Sequence, residues 1–141
     1  MTKREGILQA VVTALTGTTG VSTRIYRTRP QAFLRSESPA LNVETISDVP
    51  FDGTLPRVTW ELTFSVTVMI RSDSPEEDAD NTIASLYSKI MSNSSLASLI
   101  VGIEPGPTSF QVLDADGGGL GIIELQFKVT YQTALGDLTS V

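Results

Sequence analysis

The chain contains no histidine and no cysteine. Without cysteine there can be no disulfide and no thiolate metal site, and the redox compartment stays open. Without histidine the commonest general base and the commonest metal ligand are both missing. A Ser or Thr nucleophile would then need Lys3, Lys89 or Lys128 as its base, each on a face expected to be exposed. Carboxylate neighbours such as Glu76 and Glu77 are better read as helix-start residues. We therefore expect no catalytic residues, no cofactor and no metal. Long apolar runs are absent too: none approaches the ~18 residues that span a bilayer, and the N-terminus lacks the apolar core of a signal peptide. A soluble protein that stays where it is made, with no membrane partner, is the expectation.

Basic residues are in the minority. Ten Lys and Arg face 16 Asp and Glu, for a net charge of −6 and a pI near 4.5, which argues against a dedicated binder of duplex nucleic acid. The imbalance is uneven. Residues 1–35 hold Lys3, Arg4, Arg24, Arg27, Arg29 and Arg35 against Glu5, a balance of +5, so the remaining 106 residues carry −11. One copy's basic edge could meet another's acidic edge, or the charge is solvated and without consequence.

What the chain does have is one long alternating stretch. From Arg57 to Arg71, Val58, Trp60, Leu62, Phe64, Val66, Val68 and Ile70 alternate with Thr, Ser and charged residues, the pattern of a strand with one buried face. Burying those seven side chains is worth roughly 1.5–3 kcal/mol each, enough to anchor a core. The other face, rich in Thr and Ser, suits water or a polar partner.

The rest is arranged around that strand. Thr2 and Glu5 fit a capping box ahead of Ile7, Leu8, Val11, Val12 and Leu15, which predicts a first helix ending near Gly17. Arg24–Arg27 reads as a short edge strand, stopped by Pro30. Residues 31–39 read as an irregular loop. Ala40–Ser47 alternates, with a slip near Thr45 and Ile46 that hints at a bulge or strand end. Residues 49–56, VPFDGTLP, place two prolines around Asp52-Gly53 and predict the turn of a projecting hairpin arm. Ser74, Pro75 and Glu77 predict a second helix, with Ser74 as cap and Ala79, Ile83, Leu86, Tyr87, Ile90 and Met91 on one face. Residues 96–100 read as one further helical turn. Pro105-Gly106-Pro107 reads as a hard break, Ser109–Leu113 as a short strand, and DADGGG, residues 114–119, as a turn. Ile123, Leu125, Phe127, Val129 and Tyr131 define a long last strand. It would pair antiparallel with the central one, setting Glu61 across from Lys128.

This order predicts a single α+β domain, residues 1–133. Its sheet is mainly antiparallel or mixed, with about five strands and two helices on one face. Residues 134–141 read as a flexible tail.

The motif candidates are weak. Asp114 and Asp116 in D-x-D-G resemble the opening of a calcium loop, but Leu125 stands where the closing acidic ligand belongs. Gly117–Gly121 has neither a P-loop lysine nor a following helix. The more informative residues are Phe33 and Phe51, aromatics in Pro-flanked loops, which serve either as contact surface or as lids folded over the core.

Several segments in order are similar to one family. They are the first helix, RTRPQAF at Arg27–Phe33, SPALNV at Ser38–Val43, the strand from Trp60, the helix ending YSKIMSNSSLASLI at Tyr87–Ile100, and LQFKVTYQT at Leu125–Thr133. Together, over residues 2–133, they resemble the tail terminator proteins of long-tailed bacteriophages, the minor tail protein U family. The resemblance implies an α+β subunit that forms a hexameric ring on the head-proximal end of the tail tube. There it would stop tube polymerisation and offer the surface to which the head joins. It implies as partners other copies of the chain, the tail tube protein and a head-completion or connector protein. DNA would pass the pore without specific binding, and an acidic wall would repel its phosphates. The implied location is the virion, after assembly in the host cytoplasm. On this reading the candidate subunit interface is Arg27, Arg29, Phe33, Arg35, Phe51, Asp52 and Leu55. A head-to-tail connector or tail-completion subunit would share the composition, and a small-ligand binding module would instead need a deep pocket under the helices.

Overall fold

The computed structural model describes residues 1–28, 38–54, 56–115 and 118–140. In chain order these form α1 (Lys3–Ala14), β1 (Ile25–Arg27), β2 (Ala40–Thr54), β3 (Arg57–Ser72), α2 (Pro75–Ser92), the single turn α3 (Ser94–Ala97), β4 (Gly102–Ala115) and β5 (Gly118–Ala134). The five strands make one sheet in the order β1-β2-β3-β5-β4. Its central strands pair antiparallel, but β1 runs parallel to β2. The sheet is therefore mixed, and three helices accompany it rather than two.

The alternation that singled out β3 decides the packing. Phe64 stands opposite Phe127, Val66 opposite Leu125 and Val68 opposite Ile123, so the apolar halves of β3 and β5 share one face. Phe64 and Phe127 stack with centroids 5.5 Å apart. α2 lies on this face and adds the tilted ring of Tyr87 against Phe127, while Ile7, Leu8 and Val11 of α1 complete the same core. On the other face Asn42, Thr63, Ser65 and Thr67 are also buried. Asn42 Nδ2 donates to Glu44 and Gln126 Nε2 to Glu124.

Several local expectations change. Thr2 Oγ1 accepts from the Glu5 amide at 3.1 Å, but the Glu5 carboxylate turns to Arg27 and does not complete the box. Ser74 makes no side-chain cap. Ser72 Oγ accepts from the Ser74 amide at 3.0 Å and donates to Asp78, which ties the strand end to the start of α2. β2 does not stop at Ser47: it continues to Thr54 by absorbing two irregularities, at Ile46 and at Phe51. Pro50 is thus a strand residue opposite Trp60, and the hairpin turns beyond Asp52-Gly53. Pro105-Gly106-Pro107 likewise interrupts nothing. β4 spans it through a register shift between Pro105 and Thr108, which an edge strand tolerates because its outward amides need no partner.

The glycine run is more than a turn. Gly118 and Gly119 already belong to β5. A Cβ on Gly121 would fall 2.6 Å from Pro75 Cβ, and one on Gly119 would fall 2.9 Å from the Ser72 carbonyl oxygen. These residues let the start of α2 rest directly on the sheet. Glu61 and Lys128 do not face each other, because the register sets Glu61 opposite Thr130 and Lys128 opposite Thr63. Residues 135–140, expected to be a flexible tail, hold backbone hydrogen bonds. Leu135 donates to Pro56, Ala134 to Ser140, and Lys3 to Leu138.

Candidate contact surfaces

Of the candidate interface residues, Arg29, Phe33, Arg35 and Leu55 lie outside the described residues. Arg27 ends β1, where its guanidinium forms a forked pair with Glu5 at 2.6 and 3.2 Å. That bond, ahead of any burial effect, holds the Glu5 carboxyl below the usual range. Phe51 projects from the β2–β3 arm and is 57% exposed, which removes the lid reading for this ring. The Asp52 backbone pairs with Thr59 beside it. Phe51 therefore belongs to one surface and Arg27 to another. Arg27 is level with Val43, the partner of Val66, whereas Phe51 lies between the partners of Trp60 and Thr59, six to seven residues farther along β3, about 20–23 Å at the rise of a strand.

The arm carries more apolar surface than the sequence revealed. Its two irregular positions, Ile46 and Phe51, are both large, apolar and exposed, and Val49 between them is exposed as well. A bulge re-aims the side chain it displaces, and here each one turns a hydrophobe outward. The slip in alternation near Ile46 was the readable signal, whereas the second bulge was hidden by the Pro and Gly around it.

On the helix side of the same arm, Asp48 faces inward. Its Oδ2 accepts from the Tyr131 hydroxyl at 2.5 Å and lies 3.5 Å from Arg4 Nη1. Trp60 stacks on Tyr131 and donates from Nε1 to Thr133 Oγ1 at 2.9 Å. Thr2, Arg4, Asp48, Trp60, Tyr131 and Leu138 line a cavity of about 50 Å³. Asp48 Oδ1 is buried there, and no hydrogen-bond partner reaches it among the described residues. The space suits one water molecule and is far too small for a cofactor. Among the described residues no group of three or more acidic side chains converges on a metal-sized site. No described helix is long and apolar enough to cross a membrane.

At the far edge of the sheet, β4 exposes Phe110 and Val112, and α2 opens beside it with Glu76, Glu77 and Asp80 along a shallow groove. Among the described residues, these surfaces offer extended, largely open contact area. An α+β subunit of this kind is suited to assembly.

The family profile of phage minor tail protein U matches residues 2–131. The chain belongs to that family and is a phage tail structural protein. No curated protein sequence matches it. Among solved structures, a chain from the "virion of native gene transfer agent (GTA) particle" superposes with a TM-score of 0.61 at 16% identity, covering 91% of this chain and 96% of its own. A second solved chain gives a TM-score of 0.50 at 15% identity, over 89% of this chain and 92% of its own. At such identities the likeness speaks to the fold alone.

Proposed function

We propose that this protein is the tail terminator of its phage. It forms a ring, hexameric in our reading, on the head-proximal end of the completed tail tube. There it blocks further addition of tube subunits and presents the surface to which a head-completion or connector protein joins. The observation that carries this reading is the family match over residues 2–131. The exposed hydrophobes of the β2–β3 arm support it, since a patch of that kind on a small subunit favours contact with other chains. DNA crosses the ring without specific binding, consistent with the net charge of −6. The action is one of occupancy: about one ring per tube end, without turnover.

The test is reconstitution. Tubes assembled without the protein run past their normal length and fail to join heads, and adding it to growing tubes halts them at once. Substituting Asp114 with Asn leaves that activity intact, because Asp114 sits in the β4–β5 hairpin. Normal-length, head-joined tails formed in its absence would overturn the terminator role and favour a connector or tail-completion subunit.

A further inference from the structure

The two edges of the sheet differ in charge and in polarity. At one edge β4 leaves Phe110 and Val112 54% and 56% exposed. They stand opposite Ile123 and Gly121, on the face that carries α2. Beside them runs a groove of about 590 Å³ lined by Ser74, Pro75, Glu76, Glu77, Asp80 and Val112. No basic residue occurs from Ser72 to Ser88, so the rim of this apolar strip is wholly acidic. The opposite edge is formed by β1, with α1 next to it. It carries Lys3, Arg4, Arg24 and Arg27, of which Arg27 pairs with Glu5 and Arg4 with Asp48 of β2, so the balance is basic. Arg24 donates to the neutral carbonyl oxygens of Pro39 and Gly20, at 2.9 and 2.8 Å.

We propose that the β4 edge of one copy seats against the β1 edge of the next. This rests on the ring reading above and deepens it by assigning the surfaces. Strand sense supports the match. β1 is parallel to β2, and each later step across the sheet, β2 to β3, β3 to β5 and β5 to β4, reverses direction. β1 and β4 therefore run in opposite senses. A second copy that extends the sheet in the same order sets its β1 antiparallel to β4, the more stable arrangement. Phe110 and Val112 leave water in the contact, and the acidic rim of α2 meets the basic residues along β1 and α1. The contact uses different patches on its two sides. It is heterologous, the type that closes into a ring when the rotation per copy permits. It also hides an open edge strand that would otherwise be a liability.

Paired charge reversal tests this. One variant carries Glu76→Lys, Glu77→Lys and Asp80→Lys, which makes both edges basic; the other carries Lys3→Glu and Arg27→Glu, which makes both acidic. Sedimentation at low salt over a wide concentration range should show wild-type association that weakens with added salt. Each variant alone should need at least a tenfold higher concentration to associate, and their equimolar mixture should assemble with the chains alternating. Phe110→Asp alone should weaken association with an unchanged thermal midpoint, and it decides the matter if a charge variant does not fold. Self-assembly of either folded variant at the wild-type concentration, a mixture that stays monomeric, or wild-type-like association of Phe110→Asp would overturn the proposal. A wild-type protein that is monomeric throughout and yet halts growing tubes overturns the edge contact and spares the terminator role. Assembly through these edges without any effect on tubes does the reverse.

Discussion

The Tyr131 hydroxyl donates to Asp48 Oδ2 at 2.5 Å, joining residues 83 positions apart. Burial first, and then the bond to Asp48, pushes the phenol well above the usual tyrosine range. An unfolded tyrosine ionises near pH ~10. The folded form resists ionisation, so its contribution to stability is complete below that pH and is lost as pH rises beyond it. Urea unfolding between pH 7 and 11 should show a decline above about pH 10 that is shallower in Tyr131→Phe. At pH 8 the same variant should be less stable by about 1–3 kcal/mol, the cost of a buried carboxylate that loses its hydroxyl partner. An unchanged alkaline profile would mean that the bond does not persist in solution.

Gly121→Ala should be costly for a different reason. The new methyl would lie 2.6 Å from Pro75 Cβ and 3.1 Å from Ile70 Cγ2, which forces the start of α2 off the sheet at about 1–3 kcal/mol. Gly102→Ala, where among the described residues no atom beyond the chain neighbours lies within 4 Å of the added Cβ, supplies the control and should be close to neutral. Equal thermal midpoints for the two variants would remove the role assigned to the glycine run.

Trp60 is half-buried at the end of the core, and its ring lies 6.4 Å from that of Tyr131. Its emission should be blue-shifted in the folded protein and move to that of a solvated indole on unfolding. Trp60→Ala should destabilise by about 3 kcal/mol, and Trp60→Phe by less, through loss of the donor to Thr133.

Phe51 separates folding from contact. Its ring is exposed, so Phe51→Ser should change stability by less than about 0.5 kcal/mol. If the arm touches a second copy or the tube, the same variant should need several-fold more protein to halt growing tubes. Wild-type halting activity would remove the arm from the candidate surfaces.

The elements that were legible in the sequence are those whose signal is periodic. β3 and β5 announced themselves through alternation, and their pairing through matched length. α2 was marked by Pro75 and its acidic first turn. The errors fall where one residue serves two neighbours. Glu5 was assigned to a cap and is claimed by Arg27. Ser74 reads as a cap, but its side chain makes none and its amide donates to Ser72 instead. The prolines of β2 and β4 read as breaks because local propensity cannot register that a strand lies at an edge or carries a bulge. Nor could periodicity show that Phe110 and Val112 would remain in water, since that depends on how far α2 extends across the sheet. Of the surface residues expected from the sequence, Phe51 and Arg27 are placed, on separate surfaces, and Arg29, Phe33, Arg35 and Leu55 lie outside the described residues.

The two irregularities of β2 also set an arithmetic for the length of the chain. Before Ile46 the odd-numbered residues Leu41, Val43 and Thr45 share the helix-bearing face; after it the even-numbered Asp48 and Pro50 do; after Phe51 the odd phase returns at Gly53. Each extra residue inverts the parity and the second cancels the first. Loss of Ile46 alone would make Thr45 and Ser47 adjacent, close the first bulge and keep Asp48 opposite Leu62. Loss of Phe51 as well would give an unbroken ladder to the hairpin with every partner on β3 retained. The two extra residues are thus dispensable to the register, and what their removal takes away is two exposed hydrophobes on the arm.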